Sequence, residues 1–506
     1  MCNRPLSAKE MVERFLDIEK TYGLFDKRVD GYAFWPSMRF NVFSALRRAM
    51  MPIAESHPDF NCRKTVDNRW RFFGALTRRF RRMCDYLKYN PIFAVRKRPL
   101  LFALEPRIMP IGDRGNIPIM IDFIAERLAA PHAVLEYAAG KSFAEMPFGY
   151  RIFRPSASTI RKMLCKRSVR RKSVSDLLSH ELELALSRIE EEFSVSLPKK
   201  ALISLSHGQM VNYKIYRPIF AKYLRRLGVK CVVTSVHYHP LNMILGEVAH
   251  EMGIRRVELM HGLVSREHIA YNLPQKSALH TPDDLLVWGE FWKAGASNYP
   301  FQNIVATGYP LFNYVRSCYP RKTSVVQKQV LFISQGAVGE TLSKLAVALA
   351  DALPADSFVV RYKLHPSESK SWRSLYPWLI DSKVAVIDNS NTSIYKELAE
   401  AAVTVGAFST ALIEGFAWGV KALVLENCPM SDVMRPFQKF GLVSFVSTLS
   451  ELCEGVKASA SRSVPNEEIE SLFAVGAADA IVRHLERCLD RHGKTDSIRL
   501  KDYDEN

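Results

Sequence analysis

Short apolar runs of four to eight residues, each followed by a stretch with helical spacing, recur in two separate series along this chain. The first series holds PLLFAL (99–104), AVLEY (133–137), ALISL (201–205), KCVVTSV (230–236), RVELM (256–260) and LLVW (285–288). Helical stretches lie between them: IPIMIDFIAERLA, KIYRPIFAKYLRRLG and LNMILGEVAHEMG. The second series holds QVLFIS (329–334), SFVVRYKL (357–364), VAVID (384–388), VTVGA (403–407), KALVLE (421–426) and LVSFV (442–446). Its helices are ETLSKLAVALADAL, SIYKELAEA, STALIEGFAWG and EEIESLFAVGAADAIVRHLERCL. Strands alternating with helices build βαβ units and parallel sheets. Two series joined by a basic, proline-containing linker predict an α/β chain of two tandem Rossmann-like, doubly wound domains. The expected boundaries are 99–310, with an insertion near 155–198, and 311–489. A helical basic extension precedes them at 1–98, and a polar tail follows at 490–506.

The length supports that division, because 506 residues exceed what a single core usually holds. Hydrophobic residues make up 48% and charged residues 24%, a globular composition. No window reaches the roughly 18–20 apolar residues of a membrane-spanning helix, and the N-terminus lacks an apolar leader core. The nine cysteines stand singly, with no CxxC pair and no zinc-type spacing. Reduced thiols in the cytoplasm, and no metal, are the expectation. The net charge is +18, concentrated in Arg78 to Arg82, Arg96 to Arg98, and Arg161 to Lys172. Such clusters attract polyanions. Without a recognisable nucleic-acid module, no nucleic-acid partner is expected. A phosphate-bearing substrate or an anionic membrane surface fits, with peripheral association at its inner face.

Strand ends carry the polar motifs. In VVRYKLHPSESK, Lys363 and His365 close a strand, Pro366 suits a first helical position, and Glu368 stands where a capping carboxylate would. A helix start of this kind binds phosphate. VTVGAFSTALIEGFAWG repeats the design with Ser409 and Thr410 at a helix start; Glu414, one turn deeper, is placed for ribose hydroxyls. Gln335 and Gly336 end the first strand of the second domain, where backbone can approach a ligand. In RVELMHGLVSREHIAYN, His261 follows a strand and suits a general base. The alternative is that it orients the leaving group. His237 and His239 end another strand, and simple packing is the preferred reading there. Glu105, GDRGN (112–116) and the TGYP turn (307–310) are weaker signals. P-loop, GxSxG and HExxH motifs are absent. No DxD follows a strand, so the expected chemistry is metal-independent, with histidine, lysine and helix dipoles neutralising the leaving phosphate.

Taken in order, ELMHG, TGYP, KLHPSE and FSTALIEG resemble bacterial capsule and surface-polysaccharide glycosyltransferases of the GT-B type. Polysialyltransferase-like and CDP-glycerol glycerophosphotransferase-like enzymes are the nearest kinds. The resemblance spans about residues 100 to 455. It implies that His365 and Pro366 contact donor phosphate, that Ser409 and Thr410 lie on the nucleotide side, and that His261 and Gly262 form the His-Gly motif. The acidic base motif of sialyltransferases has no clear counterpart; Glu267 and Asp113 are its candidates. The implied activity is sugar transfer from a nucleotide-sugar, used as substrate with no cofactor, to a lipid-linked glycan. A UDP-sugar 2-epimerase-like enzyme or a non-catalytic basic scaffold that binds nucleic acid is the alternative. Nucleotide-dependent stabilisation separates the enzymes from the scaffold.

Overall fold

The computed structural model describes residues 6–50, 90, 96–104, 108–111, 114–136, 152–153, 159–273, 279–296, 301–321, 327–336, 338–388, 393–426, 428, 431–459 and 465–501. The arginines at 78–82, Glu105, Asp113 and the aromatic-basic stretch near residue 70 lie outside the described residues.

Two parallel sheets organise the chain, as the alternation predicts. The first contains β1 (Leu100–Ala103), β4 (His132–Leu135), β5 (Ile152–Phe153), β6 (Cys231–Thr234), β7 (Arg255–Leu259), β8 (Asp284–Val287) and β9 (Asn303–Ala306), in the order β5-β4-β1-β6-β7-β8-β9. The second contains β10 (Lys328–Ile333), β11 (Phe358–Lys363), β12 (Ala385–Ile387), β13 (Ala401–Gly406), β14 (Lys421–Leu425) and β15 (Val443–Val446), in the order β12-β11-β10-β13-β14-β15. Both are doubly wound. From β1 the chain builds outward to β4 and β5, then returns to β6 on the other side. From β10 it builds to β11 and β12, then returns to β13. A small antiparallel pair, β2 (Ile108–Pro110) with β3 (Asn116–Pro118), lies outside the sheets. It takes the start of the stretch expected to be helical from residue 117, so helix remains only over Asp122–Ala125.

ALISL is helix rather than strand. It belongs to a 29-residue helix, Lys199–Leu227, in which Leu202, Ser206 and Met210 are buried at a spacing of four. A five-residue apolar run does not distinguish strand from helix, and the longer periodicity decides.

The amino-terminal extension and the insertion form one helical layer. Helices α1 (Ala8–Thr21) and α2 (Phe34–Met50) come from the extension, α3 (Thr159–Val169) and α4 (Lys172–Phe193) from the insertion, and α5 (Lys199–Leu227) follows. Met11, Phe15 and Trp35 share a core with Leu178, Leu182 and Ile189. A capping box at Ser7 and Glu10 starts α1. The buried pair Glu19 and Arg39 ties α1 to α2 at 2.7 Å. Arg39 also donates to the carbonyls of Ile269 (2.6 Å) and Asn272 (2.9 Å), docking the layer onto the first domain.

Residues 467–489, expected as one helix of the second domain, form two. The first, Asn466–Leu472, is followed by a break at Phe473 to Gly476 and then by the last helix, Ala477–Lys501. The break docks on the first domain: Ala474 N–H donates to Trp288 O at 2.7 Å, and Trp292 Nε1 donates to Leu472 O at 2.8 Å. Gly308 of TGYP has φ +94° there, and a β-carbon on it would stand 2.2 Å from Ala474 O. Only glycine fits. The last helix then packs on the first sheet through residues such as Ile481 and Leu485. Among the described residues, no helix is long and apolar enough to cross a membrane.

Candidate active site

In doubly wound sheets, ligands sit at the carboxyl ends of strands where the winding reverses. In the second domain that point lies between β10 and β13. Gln335 follows β10, and its Oε1 accepts the Phe408 N–H of the β13 loop at 3.1 Å. His365 follows β11, the neighbour of β10 on the other side. The 365 and 409 loops therefore flank Gln335 on one sheet edge, about 10 Å apart by strand spacing. A β-carbon on Gly336 would meet nothing within 4 Å, so backbone is open to a ligand there.

The loop after β11 differs from its expected form. No helix starts at Pro366; residues 366–371 form turns, with a single helical turn at Trp372–Leu375. Glu368, 2% exposed, is the cause. Its carboxylate accepts the His365 N–H (2.7 Å), the Ser334 hydroxyl (3.0 Å) and the Tyr376 hydroxyl (2.7 Å), closing a turn instead of capping a helix. The helix-dipole contribution expected at His365 is absent. What replaces it is a fixed tautomer. Ser367 N–H points at His365 Nδ1 (3.3 Å), and the Ser367 hydroxyl lies 2.7 Å from the same atom. A backbone amide only donates, so Nδ1 accepts and the neutral ring carries its proton on Nε2. His365 and Pro366 are exposed.

Lys363 is turned inward. It is 5% exposed and donates to the Asp388 carbonyl at 3.0 Å, and burial holds its ammonium pKa below the usual lysine range. Ser409 caps the helix Thr410–Gly415, accepting from Ala411 N–H at 3.3 Å. Its hydroxyl keeps a proton to donate. Thr410 and Glu414 are half-buried on that helix.

In the first domain the winding reverses between β1 and β6. His237 lies just past β6, and its Nδ1 pairs with Glu258 of β7. The other Glu258 oxygen accepts the Tyr271 hydroxyl at 2.9 Å. Glu258 is fully buried; burial pushes its carboxyl up, but the adjacent His237 outweighs this and holds it low. His261 Nε2 lies 3.3 Å from the Tyr238 hydroxyl, within the same aromatic group. The His237–Glu258 pair is the feature read in sequence as packing alone. Its signal was a carboxylate inside the apolar run RVELM, which burial requires to be paired. Glu267 stands apart from it, lining a cavity of about 230 Å³ between the domains with Arg266, Trp292, Phe437 and Lys439. That cavity brings the loop after β7, in the first sheet, together with the segment after β14, in the second.

No family model matches the sequence, and no curated protein matches it either. Solved structures share its outline. UDP-GlcNAc 2-epimerase from Neisseria meningitidis bound to UDP-GlcNAc is 12% identical, with a TM-score of 0.44 over 78% of this chain and 99% of its own. UDP-GlcNAc 2-epimerase from Methanocaldococcus jannaschii is 11% identical, with 0.47 over 77% and 99%. Acinetobacter baumannii MurG is 12% identical, with 0.43 over 77% and 99%. Likeness at this level carries no conclusion about what this chain binds or does.

Proposed function

We propose that this protein is a nucleotide-sugar-dependent glycosyltransferase of the GT-B type, acting on a lipid-linked or growing surface glycan. The observation that carries this reading is the loop pairing at the second sheet's winding reversal, where Gln335 holds the loop after β13 and the exposed His365 follows the neighbouring β11. In this reading the donor's phosphate lies over β10 and β13. His365 Nε2–H, the amides near Ser409 and the Ser409 hydroxyl take up the charge that develops on the leaving phosphate. Glu414 faces the ribose. His261 receives the acceptor hydroxyl proton, with the negative Glu258 stabilising the imidazolium that results. Lys363 acts from below the site, holding the β12 end through Asp388 O.

An anionic membrane surface is the proposed setting of the acceptor. Helix α3 exposes Met163 (64%) and Leu164 (62%) among Lys162, Lys166 and Arg167. Apolar side chains within a basic face complement an anionic leaflet.

The test is nucleotide release from CMP-, CDP- and UDP-sugars with and without a lipid-linked glycan. Acceptor-dependent release supports transfer. Epimer formation without acceptor favours the epimerase alternative, and salt-sensitive DNA retention without nucleotide binding favours the scaffold.

A further inference from the structure

At the amino-terminal edge of the first sheet, four buried side chains from separate parts of the chain converge. Asp284 begins β8 and is 0% exposed; Cys231 begins β6 and is 0% exposed; His484 and Cys488, on the last helix, are 9% and 7% exposed. His484 Nε2 lies 3.0 Å from Asp284 Oδ2, and Cys488 Sγ lies 3.8 Å from the same oxygen. One ligand atom from each of these three residues falls within 4.8 Å of the others. The Cys231 thiol adjoins that of Cys488.

We propose that Asp284, His484 and Cys488 form a structural site for a thiophilic divalent cation of the zinc type, which pins the last helix to the first domain. Bonds of about 2.1 Å to oxygen and nitrogen and about 2.3 Å to sulfur close triangles on the observed edges. The angles at the metal are roughly 91° for oxygen to nitrogen and roughly 119° for oxygen to sulfur, on either side of the tetrahedral value. The surroundings fit. Asp284 Oδ1 is occupied by Arg255 and by Asn303 Nδ2 (2.7 Å), while Arg255 Nε steadies Oδ2 at 3.0 Å, the oxygen facing His484 and Cys488. Outer partners of this kind orient a ligating carboxylate. Charge also closes at the ligands: a dication with one thiolate, one carboxylate and neutral imidazole sums to zero. Loading releases the Cys488 thiol proton and any proton on His484 to solvent. Separations of 200 residues between Asp284 and His484, and of 204 between Asp284 and Cys488, hide the set from any motif of short spacing.

The experiment uses the full chain without an affinity tag, and reads metal per chain after dialysis together with Co²⁺ titration. About one zinc per chain is expected, with a thiolate-to-cobalt charge-transfer band on Co²⁺ loading and a melting temperature lowered by chelator and restored by zinc. Cys488→Ser and His484→Ala should each lose the metal. If either variant fails to fold, the wild-type cobalt spectrum decides alone. A wild-type chain with no zinc, no charge-transfer band and no chelator response would overturn the site and leave a hydrogen-bonded anchor.

Discussion

Gln335 Oε1 accepts the Phe408 amide hydrogen at 3.1 Å, fastening the loop after β10 to the loop after β13 at the winding reversal of the second sheet. A nucleotide lying over this point depends on the two loops keeping their spacing. Gln335→Ala removes one net hydrogen bond, about 1 kcal/mol of stability. Nucleotide affinity should fall roughly tenfold, equivalent to about 1.4 kcal/mol. Isothermal titration reads this directly, and an unchanged dissociation constant would detach the loop contact from binding.

Two glycines of the same loop should respond oppositely. A β-carbon on Gly336 meets nothing within 4 Å, so Gly336→Ala should keep the melting temperature while weakening nucleotide binding. On Gly339 it would stand 2.1 Å from the Tyr376 hydroxyl and 2.7 Å from Glu368. Gly339→Ala should therefore destabilise the fold by about 1–3 kcal/mol. Denaturant midpoints for the two variants test the contrast.

Much of this architecture is legible in the chain because parallel strands buried on both faces read as unbroken apolar runs. Strands such as β1 and β10 stand out in that way. What is hidden depends on partners distant in sequence. The break after Leu472 follows from the close approach of Ala474 to Gly308, which no local pattern announces. The His365 turn replaces a helix because Glu368 also serves Ser334 and Tyr376. His237 pairs with a carboxylate 21 residues away, and its sequence neighbours give no sign of it.

The helical layer hangs on a buried ion pair. Arg39→Met leaves Glu19, whose side chain is 0% exposed, without its guanidinium, and deprives the carbonyls of Ile269 and Asn272 of a donor. Removing one member of such a pair costs about 3–5 kcal/mol. Early proteolytic release of the first fifty residues should accompany the loss. Wild-type resistance would show that packing alone holds the layer.

Acid should loosen the same face. Burial, with lesser contributions from nearby cationic groups, pulls the imidazoles of His268 and His280 down to about 4 and about 3. A folded pKa below the unfolded value means stability present above about pH 6.5 and lost as pH falls toward those values. Each residue keeps partial exposure, so the loss by pH 5 should be on the order of 1 kcal/mol for each. Denaturation at pH 7 and pH 5 of wild type and of His268→Phe measures it, and equal losses in both would assign the effect elsewhere.

Vesicles of anionic lipid should retain the protein through α3. Lys166→Glu with Arg167→Glu reverses charge at two exposed positions and should abolish co-sedimentation with anionic but not alter behaviour with zwitterionic vesicles. Undiminished co-sedimentation would move the contact to another surface.

The nucleotide site itself is tested most directly by titrating CMP, CDP and UDP into wild type and His365→Ala. His365 is exposed and, among the described residues, its side chain bonds locally with Ser367, so the variant should fold normally. Micromolar binding of one nucleotide to wild type is expected, weakened at least tenfold in the variant at an unchanged melting temperature. Equal affinity in the two proteins would contradict it.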